Sequence, residues 1–148
     1  MAQDQPPRPR RYTFPQAFRL KRKRLIRPLF DRSRKDVGTI TAGCVRIVYR
    51  LADPQKAGVD TPLQIGFTTG RNIRKAVDRN RIKRYMREAF RLNQYLLLDA
   101  LEDHAGTMLT LMVIFRGDPE RASRQIPHHL PTAFTSLVAK IQEGSMPN

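Results

Sequence analysis

Between Asp78 and Leu98 the chain repeats with the period of an α-helix, and the repeat has two opposed faces. Turned by about 100° per residue, Ile82, Met86, Ala89, Asn93 and Leu97 share one sector with Phe90 and Leu96 at its margins, whereas Asn80, Arg84, Arg87 and Arg91 gather within roughly 60° on the far side. The first face needs a core and the second needs water or an anion. Like charges three and four residues apart repel, so the stripe weakens the helix unless something negative binds it. Arginine suits that task because its planar fork gives two parallel charge-assisted hydrogen bonds to a phosphate. Any fold of this chain must therefore lay the helix on an apolar surface with its arginines outward.

The rest of the charge agrees. The 148 residues carry 28 Lys and Arg against 13 Asp and Glu, a formal net charge of +15. Most of the positive charge sits in two blocks, residues 8–35 and 71–91, and only Arg116, Arg121, Arg124 and Lys140 lie beyond Leu92. A self-repelling excess of this kind is the electrostatic footprint of a polyanion partner. Cys44 is the single cysteine, which excludes an internal disulfide and a zinc site built on paired thiolates. No apolar run approaches the ~18 residues that a membrane span needs, and the basic N-terminus lacks the apolar stretch of a signal peptide. The expectation is a cytoplasmic protein with no membrane association and no evident obligate protein partner.

Residues 1–16, rich in Pro and Gln, are predicted to form an extended, disordered basic arm, 17–142 a single polyanion-binding domain, and 143–148 a tail. A short helix is predicted over about 19–33, limited or kinked at Pro28, with Ile26 and Phe30 on one face. Gly38–Leu51 reads as two strands or one bent strand, with Val45, Ile47, Tyr49 and Leu51 alternating against Arg46, Val48 and Arg50. After a loop at 52–62, Leu63, Ile65 and Phe67 face one way along a further strand. The basic helix at 78–98 follows. Leu109–Phe115 is a continuous apolar run, which suits a strand buried on both faces. A last amphipathic helix is predicted over about 128–142, with Pro131 in its first turn. The pattern is an α+β two-layer sandwich in the order α-β-β-β-α-β-α, with a mixed sheet and a crossover helix that carries the basic stripe.

No autonomous active site is legible. Metal-dependent phosphodiester cleavage wants several convergent carboxylates, and Asp78 and Glu88 lie on different sides of the helix. Asp99, Glu102 and Asp103 read as a solvated patch at a helix end. His104 is isolated, and His128 and His129 read as surface residues. Gly66–Gly70 is too short and wrongly composed for a phosphate-binding P-loop.

The stretch Arg79-Asn80-Arg81-Ile82-Lys83-Arg84, followed by Arg87-Glu88, resembles the signature of the bacterial ribonuclease P protein subunit. Arg74-Lys75-Ala76 before it and Phe90-Arg91 after it fit the same pattern. Phe14-Pro15, Arg19-Leu20 and the spacing of Ile26 and Phe30 resemble the family's N-terminal segment. Ile65-Gly66-Phe67-Thr68 and Met112-Val113-Ile114-Phe115-Arg116 resemble its flanking strands, so the similarity spans about residues 14–141. Ile26 stands where the family usually has an aromatic, Gln64 where it often has Arg, and Thr110 where it has an acid.

The resemblance implies an accessory subunit without catalytic residues of its own, in a ribonucleoprotein endoribonuclease that removes the 5′ leader of precursor tRNA. The expected partners are the catalytic RNA and precursor tRNA. No cofactor is expected on the protein, while Mg²⁺ is expected for the RNA-catalysed reaction. The residues implied in RNA binding are Arg71, Arg74, Lys75, Arg79, Asn80, Arg81, Lys83, Arg84, Arg87 and Arg91. Ile26, Phe30, Tyr49 and Phe67 are implied to line a cleft for the single-stranded leader, between the first helix and the sheet. A ribosomal or other structural RNA-binding protein is the alternative.

Overall fold

A computed structural model describes residues 10–104 and 106–144. The ends of the expected arm and tail, 1–9 and 145–148, lie outside the described residues. Four strands, β1 (Gly38–Ala42), β2 (Val45–Ala52), β3 (Leu63–Thr69) and β4 (Met108–Phe115), form one sheet in the order β1-β2-β4-β3. β1 and β2 form an antiparallel hairpin whose turn contains Gly43 at φ 55°, a left-handed conformation natural to glycine. β2 pairs antiparallel with β4, and β3 pairs parallel with β4. A parallel pair needs a long crossover, and the basic helix supplies it.

The helices are α1 (Lys23–Ile26, continued as a 3₁₀ turn over Arg27–Phe30), α2 (Pro54–Ala57), α3 (Ala76–Asn93), α4 (Tyr95–Leu101) and α5 (Ala122–Gln142). The order is the predicted one with a single-turn addition, α2, inside the 52–62 loop. Asp53 caps that turn by accepting from the Gln55 amide, and Gly58 at φ 68° ends it. The expected helix at 19–33 shrinks to its middle, because Pro28 cannot donate the bond that would continue it.

Two other boundaries differ from the prediction. The crossover helix is interrupted at Gln94, which is 2% exposed and donates from Nε2 to the Thr13 and Arg91 carbonyls. Beyond that break Leu96, expected at the margin of the core face, is 42% exposed. α5 begins at Ala122 rather than 128, so Pro127 and Pro131 both lie inside it and not in its first turn. The two prolines are four residues apart on one face, and neither is buried. The carbonyls they leave unpaired are therefore confined to the helix's outer side.

Elements pack on both faces of the sheet. α3 and α5 pack on one face, where Phe90, Met86 and Ile82 meet Phe134, Leu130, Ile47, Leu111 and Val113. On the other face Leu25 and Leu29 of the α1 segment meet Val48, Ala52, Met108 and Met112. The N-terminal segment joins the two layers around the edge of the sheet. Residues 10–14 lie along α3 and α4, where Tyr95 Oη bonds both backbone groups of Arg11 and Arg91 donates to the Tyr12 carbonyl. The stretch expected to be a disordered arm is thus bonded to the domain from Arg10 onward. Leu20 then donates to the Ile65 carbonyl, shielding the edge of β3.

Candidate nucleic-acid interface

α3 begins after an extended Lys75, and Arg79 reaches back to donate to the Ile73 and Arg74 carbonyls, at 3.2 and 2.6 Å. The loop carrying Arg71, Arg74 and Lys75 is thereby fastened to the helix start with its own side chains exposed. Asn80 lies inside the helix and is exposed, so it is not the cap. Arg84 and Arg87 are exposed and have no ion-pair or hydrogen-bond partner among the described residues, and Lys83 lies half-buried beside them.

Three of the ten expected RNA-binding side chains make bonds within the protein. Arg79 holds the loop. Arg81 is turned toward Asp78 at 3.2 Å and the Pro119 carbonyl. Arg91 makes a two-pronged contact to Glu88 besides its bond to Tyr12. That contact holds the Glu88 carboxyl below the usual range and raises the guanidinium above its own. The helix's two acids each pair with the arginine three positions on. The outward field therefore comes from Arg71, Arg74, Lys75, Lys83, Arg84 and Arg87.

A groove of about 470 Å³ opens on the opposite face of the sheet. Its wall is the α1 segment, where Phe30 is 50% exposed and Leu29 is buried, and its floor includes Thr39, Arg46, Val48 and Ile114. Ile26 packs, partly buried, against the apolar cluster beneath the same segment. Tyr49 and Phe67 are not in this groove, which corrects the expected cleft. Tyr49 is 3% exposed in the core under α3 and α5, with its ring so close to Gly38 that a Cβ there would lie 2.3 Å from Cζ. Burial pushes its hydroxyl up from the ordinary phenol range. Phe67 packs edge-on to Phe14 and tilted against Phe90 in that same layer.

Successive side chains of a strand point to opposite faces, and the groove takes the even positions of β2. The residues missed were thus Arg46 and Val48, with Thr39 and Ile114 beside them in the pairing register. Their signal was present: arginines at 46 and 50 alternate with core residues and mark a face that is only partly closed. At its rim Asp36 accepts two bonds from Arg34 and one from Arg50, all at 2.8 Å. Arg34, and then Arg50, hold its carboxyl far below the usual carboxylate range.

His129, expected at the surface, is half-buried and accepts the Cys44 amide at Nδ1, which also lies 3.2 Å from the Cys44 sulfur. Burial raises the Cys44 thiol above its ordinary value. Among the described residues no group of three or more His, Cys, Asp or Glu side chains is placed to hold a metal ion. Among the described residues no helix is long and apolar enough to cross a membrane.

The chain matches the family model described as Ribonuclease P over residues 14–130. It is 33% identical over 117 residues to the ribonuclease P protein component of Chlorobaculum tepidum, covering 72% of this chain and 76% of that one. Over 59 residues it is 42% identical to the component from Porphyromonas gingivalis, covering 40% of this chain and 42% of the relative. The fold matches the Staphylococcus aureus RNase P protein with a TM-score of 0.54 at 20% identity, over 84% of this chain and 96% of the other. With a solvent-facing basic helix, a mixed four-stranded sheet and this breadth of agreement, the chain belongs to the ribonuclease P protein family.

Proposed function

We propose that this protein is the accessory subunit of a ribonuclease P whose catalyst is an RNA, and that it promotes removal of the 5′ leader from precursor tRNA in the cytoplasm. The observation that carries this reading is the division of labour on α3. Asp78 and Glu88 neutralise Arg81 and Arg91, while Arg84 and Arg87 face solvent beside the exposed Arg71, Arg74 and Lys75. Those side chains take phosphates of the catalytic RNA, and the rigid helix sets their spacing. The groove beside Phe30 takes the unpaired leader, because an exposed aromatic ring can stack on any base. Its floor lies on the opposite side of the sheet from α3, so both RNAs can be held at once. Mg²⁺ belongs to the RNA-catalysed step and is held by RNA.

The test is to mix the protein with precursor tRNA, alone and with the catalytic RNA, at magnesium concentrations where the RNA alone is slow. Cleavage accelerated only in the mixture is the expected result. Cleavage by the protein alone would make it a nuclease in its own right. No effect in either mixture would leave a structural RNA-binding protein.

A further inference from the structure

The outward face of α3 holds more than arginines. Where the N-terminal segment runs along the helix, a pocket of about 540 Å³ opens between the two. Phe14 and Tyr85 are half-buried in it, and Arg19, Arg84 and Arg87 stand exposed around them. Both rings are fixed from below: Phe14 meets Phe67 and Phe90 edge-on, and Tyr85 packs against the same core layer. The Arg19 guanidinium lies over Phe14, 5.1 Å from the ring centre, and its side chain makes no ion pair or hydrogen bond among the described residues. Glu88, the one carboxylate lining the pocket, is paired with Arg91. The volume falls within the about 300–1,000 Å³ of small-ligand sites, and the charge left around it is positive.

We propose that this pocket receives the base of one unpaired nucleotide of the catalytic RNA, whose phosphate rests on Arg84 and Arg87; this depends on the reading of α3 as the face that binds that RNA. Aromatic rings inside a cationic rim match the two halves of a nucleotide, a flat ring and an anion. A phosphate alone would satisfy the arginines and leave Phe14 and Tyr85 with nothing to stack on. In a regular A-form helix the base faces are stacked on one another, and only a loop, a bulge or an end can turn one toward a protein ring. Arg19 is the group such a base displaces. An exposed cation over a ring is held more weakly than a base stacked on it, and the freed guanidinium can join the others around the phosphate. Phosphate contacts by themselves position a backbone and carry no further selectivity. The pocket adds a requirement for one base that is free of its helix, which a plain duplex does not meet.

The experiment measures affinity of the full chain for the catalytic RNA, without tRNA, across a salt series, with thermal unfolding as control. Phe14→Leu, which keeps an apolar side chain over the core, should weaken binding about tenfold. Its log–log salt slope should match the wild type, because no phosphate contact is lost. Phe14→Trp should keep the affinity and supply a reporter, since the chain has no other tryptophan. A base stacked on that indole should quench its fluorescence when the catalytic RNA binds, and a fully paired RNA duplex should bind without quenching it. Unchanged binding by Phe14→Leu with no quenching in Phe14→Trp would give the pocket to some other ligand and overturn the proposal. Weaker binding by Phe14→Leu with a lower melting temperature, again without quenching, would make Phe14 a core residue only and overturn it too. Equal quenching by the duplex would overturn the requirement for an unpaired base. In the same series Arg84→Ala tests the underlying reading separately: if it binds the catalytic RNA as the wild type does, the assignment of α3 itself fails.

Discussion

The two faces of the sheet share four strands and differ in what lies on them. Over one, α3 and α5 close an apolar layer in which Phe90, Phe134, Ile47, Leu111 and Val113 are all 0% exposed. Over the other, Leu25 and Leu29 of the short α1 segment pack with Val48, Ala52, Met108 and Met112, and the floor runs on to Thr39, Arg46 and Ile114, which are not buried. Closed packing leaves a face no room for a ligand and makes every atom removed from it expensive. Half-closed packing forgoes part of that stability and gains a groove whose walls are set by secondary structure. In one domain the same alternation of side chains thus builds a core on the odd positions of β2 and a groove on the even ones.

Truncation on the two faces should separate them most sharply. Phe90→Ala should cost about 3–5 kcal/mol in denaturant unfolding, the range for a fully buried aromatic, and Tyr49→Ala should likewise lower stability and weaken precursor and mature tRNA alike. Phe30→Ala should leave the melting temperature almost unchanged while weakening binding of precursor tRNA by about 1–3 kcal/mol and that of mature tRNA hardly at all. If Tyr49→Ala lowered the precursor-to-mature affinity ratio without destabilising the protein, the assignment of the faces would be reversed.

A smaller effect distinguishes free from committed cations on α3. Arg84→Ala and Arg87→Ala should each weaken binding to the catalytic RNA and reduce the log–log salt slope by about 0.7–0.9, one phosphate contact's worth. Arg81→Ala and Arg91→Ala should barely alter that slope, their loss appearing instead as lower thermal stability. Equal slopes for all four variants would dissolve the distinction.

The smallest expected effect lies at the groove's rim. Because Arg34 and Arg50 hold the Asp36 carboxyl low in the folded protein, its stabilising contribution is fully present above the ordinary carboxylate pKa, about 4. It is lost as the pH falls through the lower folded value. Asp36→Asn should cost about 1 kcal/mol or less at pH 7. The gap to the wild type should close as the solution is acidified below pH ~4. A gap constant over that range would remove Asp36 from the acid limb of the stability curve.

Periodicity carries information only about neighbours along one element, and it was sufficient there. The two faces of α3, the alternation of β2 and the buried run of β4 are each visible in a few residues of sequence, because pitch and pleat convert spacing directly into direction. The signature at 79–91 likewise needed no coordinates. What spacing cannot supply is which surface lies opposite. Tyr49 and Val48 are adjacent in the chain and on opposite faces of the sheet, and only the path of residues 10–30 around the edge of β3 decides which face receives α1 and becomes the groove. The fates of Arg79, Arg81 and Arg91 were hidden for a similar reason, since their acceptors include the Ile73 and Arg74 carbonyls, Pro119 and Tyr12. Sequence alone determined that this chain has a basic helix on an α+β sandwich. Tertiary structure decided which of its charges are bonded within the protein and which face solvent without a partner, because a hydrogen bond to a backbone carbonyl depends on where the chain has been brought and not on which residue contributes the carbonyl.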